Sequence, residues 1–133
     1  MTVLNDVKLI NLPSHKDDRG ILTSLEQMRD VPIDIKRIFY MHQVSANRGG
    51  HAHIDTDQVA IATSGSFVIK LSDGKDWESY TLNDPTVGLY IPRMVFVDID
   101  DLSADSVCLV LANTFYDINK SLRSWEDYLG AIK

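Results

Sequence analysis

The segment Arg48-Gly49-Gly50-His51-Ala52-His53 holds the residues of this chain best suited to chemistry. Two histidines stand at i and i+2. On a strand both imidazoles would face the same side. An imidazole titrates near neutrality, so such a pair suits proton transfer, and it also suits metal ligation. Arg48 adds a guanidinium fork that matches phosphate oxygens. Gly49 and Gly50 would let backbone and substrate approach closely.

The residues that follow weigh metal against acid–base chemistry. Gln58 comes five positions after His53, and Gly65 seven after Gln58. This spacing resembles the first motif of the cupin superfamily: a His-x-His pair, an acidic or amide residue, then a glycine. The second cupin motif would fall within Gly88 to Val97. There the family pattern places a histidine five residues after a proline. Pro92 is present, and the histidine slot holds Val97. Cupin metal sites use two histidines, a glutamate and that third histidine. With Asp57 or Gln58 in the glutamate slot and an aliphatic Val97, the set is a poor transition-metal site. The pair therefore reads as acid–base chemistry, with no metal and no cofactor expected. A metal-dependent cupin dioxygenase is disfavoured on the same ground.

The remaining chain must build a scaffold for these residues. Its 133 residues suffice for one domain over 1–133 with one core. Short apolar segments stand between Gly, Pro and Asp punctuation. They are Val7–Leu12, Ile21–Leu25, Ile35–Met41, Val59–Thr63, Phe67–Leu71, Trp77–Leu82, Val87–Ile91, Val95–Ile99 and Ser106–Ala112. Phe67–Leu71 and Trp77–Leu82 flank Asp73-Gly74 as a hairpin with a loop longer than two residues. This predicts an all-β sandwich or barrel. Ser124 is a plausible N-cap, and Trp125, Tyr128, Leu129 and Ile132 form an apolar stripe at helical spacing. One short C-terminal helix follows.

Net charge is −6 and the isoelectric point about 5.0, which argues against nucleic-acid binding. No apolar run approaches the ~18 residues of a membrane span. The first residues lack the basic and apolar regions of a signal peptide. The single Cys108 sits in an apolar run and forms no intrachain disulfide. A reducing, cytoplasmic setting is expected.

Several segments, in order, resemble one family. They are Asp18-Arg19-Gly20, Ile35-Lys36-Arg37, the Arg48–His53 block, Asp57-Gln58-Val59, Val87-Gly88-Leu89-Tyr90 and Phe115-Tyr116-Asp117. The chain is similar in this to the cupin-type sugar-nucleotide 3,4-ketoisomerases, over roughly Asn11 to Tyr128. Two departures stand out: Phe96-Val97 replaces a Trp-His pair, and Phe39-Tyr40 replaces two tyrosines. The resemblance implies a cupin-like jelly-roll barrel, a homodimer, and action on a dTDP-linked 4-keto-6-deoxy sugar without metal. It also implies a place in deoxyamino-sugar formation.

Moving a ketone from C4 to C3 needs a proton taken from C3 and one given to C4. His51 and His53 are the candidates for that transfer, with His53 favoured as base. The Tyr40 phenol is a candidate donor to the developing oxyanion. Arg19, Arg37 and Arg48 are candidates for the diphosphate, and Tyr90 for a further substrate contact. His15 and His42 lie outside the motif. The alternatives are a non-catalytic sugar-nucleotide-binding cupin, favoured by Val97, and a 3,5-epimerase of the same substrate. The C4 stereochemistry and the nucleotide base stay open. The N-terminal strand and the loop before Asp18 could cross to a neighbouring copy and cover an open sheet edge.

Overall fold

The computed structural model describes residues 2–133. Strands β1 (Lys8–Asn11), β2 (Ser14–Asp17), β3 (Gly20–Thr23), β4 (Arg37–His42), β5 (Arg48–His53) and β6 (Gln58–Ser64) form the first half. Strands β7 (Phe67–Ser72), β8 (Trp77–Leu82), β9 (Val87–Ile91), β10 (Phe96–Asp100), β11 (Val107–Ala112) and β12 (Ser121–Leu122) form the second. Helix α1 (Trp125–Ala131) closes the chain. One five-stranded antiparallel sheet runs β1-β9-β6-β11-β4, and the other runs β12-β5-β10-β7-β8. The main core lies between them, built from Ala60, Ala62, Leu89, Cys108 and Val110 of one sheet and Phe67, Ile69, Leu71, Val97 and Ile99 of the other. This is the cupin-like jelly-roll arrangement with its short terminal helix.

The segment 24–35 covers the outer face of the first sheet. Leu25, Val31, Ile33 and Ile35 pack there on Val59, Ile61, Leu111 and Tyr90. Strand β6 is thus buried on both sides, which explains its unbroken apolar run Val59–Ala62. Its inward residues past Gln58 are the small Ala60 and Ala62. They leave space between the sheets.

The nine apolar segments all contain strands, with ends moved by two residues at most. Strands β2 and β12 have no apolar alternation to announce them. β2 is Ser-His-Lys-Asp, wholly exposed, and pairs with β3 in a projecting hairpin. β12 is two residues long and pairs with the end of β5, Ser121 opposite His53 and Leu122 opposite Ala52.

Helix α1 docks as its stripe requires. The Ser124 hydroxyl accepts the Asp127 N–H at 3.0 Å, an N-cap. Tyr128 is fully buried against Phe96 and Ala52. Trp125 stacks on Trp77 with centroids 5.3 Å apart. Ile132, at the stripe's end, lies over Gly74.

The two glycines before the histidines serve the ladder. Between β5 and β10, Val97 pairs with His51 and Asp98 with Gly49, so Gly50 is an extra residue, a β-bulge. Gly49 has φ +102° and Gly50 φ +75°. The close approach at Gly49 is to strand β10: an added Cβ would lie 2.7 Å from the Val97 carbonyl oxygen. At Gly50 the nearest atom to an added Cβ is 3.8 Å away. Gly50→Ala should therefore cost only left-handed strain, about 1 kcal/mol. Gly49→Ala adds a backbone collision and should cost about 3 kcal/mol or more. Urea denaturation of the two variants checks the order; equal losses would show that the bulge does not need Gly49.

Candidate active site

The inward alternation of strands from both sheets opens a cavity of about 600 Å³ between them. From β5 come His51 and His53, on one side as the i, i+2 spacing predicts. Their ring centroids are 5.0 Å apart and nearly perpendicular, at 83°. Val97 of β10 stands opposite His51 in the ladder and also lines the cavity. Phe39 and Met41 of β4, Ala60 of β6 and Cys108 of β11 form the apolar wall across from them.

Three arginines reach this space: Arg37, Arg48 and Arg123. Arg48 should face away from His51 on a regular strand, being three residues earlier. The bulge at Gly50 restores it to the cavity side, opposite the inward Ile99. Arg37 is clasped between rings, its guanidinium carbon 5.3 Å from the centroids of both Phe39 and Tyr116. Such cation–π contacts hold the fork in place. Its Nε and the Nε2 of His53 are buried without a hydrogen-bond partner. Buried polar atoms are normally paired, so these two are exceptions, and both belong to residues that line the cavity. Among the described residues no Asp or Glu lines the cavity.

Burial drives the electrostatics. It pushes the His53 pKa down from 6.5 to about 4, aided by the neighbouring His51 and the Arg37 charge. Burial is also the largest influence on His51 and lowers its pKa, with Arg123 and Arg48 adding to it. The Gly49 backbone and Asp98 pull His51 the other way. Both imidazoles are therefore neutral near pH 7, the form that accepts a proton.

Other expected site residues lie elsewhere in this chain. Tyr40 faces outward and is 61% exposed, because Phe39 and Met41 on either side of it face inward. Arg37 and Tyr40 are three apart on a regular strand and cannot share a face. Tyr90 packs under segment 24–35, since Leu89 and Ile91 take the inward positions of β9. Arg19 sits at the tip of the β2–β3 hairpin, its side chain 87% exposed and ion-paired to Asp17 at 2.7 Å. Arg123, Tyr116, Ser121, Asn47 and Gln58 line the cavity without having been singled out for a substrate role. Arg123 directly precedes a helix N-cap, and that local signal hides its place in the cavity. Of the two residues in the cupin glutamate slot, Gln58 faces the cavity. Asp57 is held outside by Arg93 and Asn113. Among the described residues no three His, Cys, Asp or Glu side chains stand close enough to share a metal ion.

Residues 5–133 match the family described as "FdtA: WxcM-like, C-terminal". The chain is similar to a TDP-4-oxo-6-deoxy-alpha-D-glucose-3,4-oxoisomerase of Aneurinibacillus thermoaerophilus, 35% identical over 91% of this chain and 88% of that one. It superposes on a 3,4-ketoisomerase from Helicobacter canadensis with a TM-score of 0.93, at 36% identity over 96% of this chain and 97% of that one. It superposes equally on QdtA, a sugar 3,4-ketoisomerase from Thermoanaerobacterium thermosaccharolyticum in complex with TDP. There the TM-score is 0.93 and identity 37%, over 97% of this chain and 96% of that one.

A histidine held neutral by the fold leaves the unfolded chain to bind the proton first. Stability from His53 is thus intact above the ordinary 6.5 and is lost as pH falls toward about 4. An NMR titration of the His53 ring should show a midpoint near 4, with thermal stability falling across the same window. A midpoint near 6.5 would refute the desolvated site.

Proposed function

The chain belongs to the FdtA family of WxcM-like, C-terminal domains, and from that premise we propose that it is a sugar-nucleotide 3,4-ketoisomerase. One observation carries the reading. In a chain of net charge −6, the cavity gathers three arginines and two neutral imidazoles and is lined by no carboxylate. That environment suits an anionic diphosphate joined to a sugar that must lose a proton. The substrate is a dTDP-linked 4-keto-6-deoxy sugar, as for the Aneurinibacillus relative. Its C3 ketone product would be ready for amination to a deoxyamino sugar. The protein would work in the cytoplasm, where nucleotide sugars are made.

His53, which lines the cavity beside His51 and is held neutral, removes the C3 proton. The C3–H electron pair forms C3=C4, and the C4 carbonyl pair moves to O4. O4 takes up a proton to complete the enediol, which then loses the O3 proton as C4 gains one, so the two protons lost at C3 and O3 are matched by those gained at O4 and C4. C3 is oxidised and C4 reduced within one molecule, so no external oxidant or cofactor enters. His51 orients His53 or a sugar hydroxyl. Arg37, Arg48 and Arg123 hold the diphosphate. The chemistry asks only for a base near its working pKa, and a neutral imidazole supplies it.

The site works in a homodimer. Ile21 and Leu22 on the hairpin are 58% and 62% exposed, and Ile38 and Tyr40 on the open β4 edge are 58% and 61% exposed. A second copy that seats its hairpin on this edge would cover both patches. Arg19 would then travel with the hairpin to the neighbour, its one route toward a cavity.

In EDTA-containing deuterated buffer, dTDP-4-keto-6-deoxyglucose should become a 3-keto product carrying deuterium at C4. Deuterium at C3 and C5 would mean epimerisation, and none would mean binding alone. His53→Asn should lower turnover by about 10²–10⁴-fold while TDP still binds. Full turnover in both His51→Asn and His53→Asn would dismiss the mechanism. Sedimentation should give a dimer, and Leu22→Asp should shift it toward monomer. A wild-type monomer would remove the proposed role of Arg19.

A further inference from the structure

Tyr40 cannot reach the cavity of its own chain, so the oxygen that turns negative at C4 still needs a donor. We propose that the Gln58 side-chain amide hydrogen-bonds that oxygen and is a catalytic residue of the isomerisation. The inference rests on the ketoisomerase reading. Gln58 is a glutamine only 6% exposed, and it lines the cavity. Its amide takes no part in the side-chain hydrogen bonds of the described residues, whereas its neighbour Asp57 is bonded on every side. A largely buried glutamine that lines a cavity with no protein partner for its amide can bond a ligand there.

Its place is fixed opposite the base. Gln58 opens β6 in one sheet, and His53 ends β5 in the other. One turn grips both strand ends. The Arg93 N–H donates to the Asp57 carboxylate at 2.8 Å, and the next N–H, of Met94, donates to the His53 carbonyl at 2.8 Å. Asn113 tightens the Gln58 side: its amide oxygen accepts the Asp57 N–H at 2.8 Å, and its own N–H donates to the Asp57 carbonyl at 3.2 Å. Gln58 and His53 thus line the cavity from different sheets, at strand ends tied by one turn.

A neutral donor suits this position. The charge of Arg37 already lowers the basicity of His53, and another cation would weaken the base further. An amide N–H stabilises the enediolate oxygen without that effect. When His53 takes the C3 proton, the carbonyl pair moves onto O4 and the Gln58 N–H···O bond shortens. It relaxes when C4 is protonated and the C3 ketone forms.

The test uses the whole protein with TDP and dTDP-4-keto-6-deoxyglucose. Gln58→Leu should cut kcat by about 10²–10³-fold, the usual loss of one oxyanion donor, with TDP affinity unchanged. Gln58→Met keeps the length and should do the same if the leucine variant folds poorly. Infrared spectra of substrate labelled with ¹³C at C4, bound to His53→Asn, supply an independent reading. The C4 carbonyl band should lie at lower frequency than in the His53→Asn, Gln58→Leu double variant. Unchanged kcat in the glutamine variants, or one carbonyl frequency in both backgrounds, would overturn the proposal. An inert wild-type protein would instead sink the ketoisomerase reading on which it stands.

Discussion

The turn between β9 and β10 holds the cavity's geometry, because three separate elements hang from it. Arg93 grips Asp57 with its backbone N–H, its Nε at 3.2 Å and its NH2 group at 3.1 Å. Met94 donates to the His53 carbonyl and accepts, at 2.8 Å, from the Tyr128 hydroxyl of the helix. Met94 achieves this in a left-handed conformation, φ +62°, that costs a non-glycine residue something locally. The strain is tolerated because the surrounding bonds over-determine it. The Asp57 carboxylate is held below its usual range even though partial burial, the largest influence on it, pushes the other way. The Arg93 and Asn113 bonds outweigh that burial. An exposed ion pair of this kind would be worth little alone. Here it acts with two further hydrogen bonds, from the Arg93 N–H and the Asn113 amide, on a largely buried carboxylate, and it ties the segment before β6 to the turn between β9 and β10.

Strand alternation also sorts the charges. Along β10, Val97 and Ile99 face the cavity while Asp98 and Asp100 face outward, where Asp100 meets Lys70 at 2.6 Å. Along β5 the histidines face in and Ala52 faces the helix. The result is an acidic exterior around an electropositive interior. An anion would gain its attraction only on entering, where low dielectric makes each arginine count for more.

The fold was legible because its strands alternate or run apolar between turn residues, and because the helix carries a 3.6-residue stripe. What escaped had no such signature. The polar β2 pairs through backbone and a Ser14–Thr23 hydroxyl contact. β12 is held by its register on β5. The two histidines follow from their i, i+2 spacing and Arg37 from residue type beside a segment of the family resemblance, and all three line the cavity. Arg48 was reached for a reason that the bulge alone makes valid, since regular alternation would have turned it away. Tyr40 and Tyr90 were drawn in by residue type, and alternation against Phe39, Met41, Leu89 and Ile91 places them outside. Arg123 reaches the cavity only through the β12–β5 pairing, a contact across about seventy residues that no local pattern encodes.

Val97 ties these threads together. It stands where the cupin pattern has a third histidine, directly opposite His51 in the β5–β10 ladder. A histidine there would offer a third nitrogen for a metal, or a polar neighbour for the pair. An aliphatic side chain offers neither and removes water from the imidazole beside it. Burial is the largest influence lowering both histidine pKa values. The residue that breaks the metal pattern thus stands, buried and aliphatic, across the ladder from one of the two buried imidazoles. A neutral imidazole of lowered pKa is a weaker base than a free one. In the proposed mechanism it can drive the reaction only if the proton it removes is also acidified, by the adjacent carbonyl and by whatever donor meets that carbonyl's oxygen. The electrostatics of the histidines thus impose a requirement on the opposite wall of the cavity, the wall from which Gln58 projects.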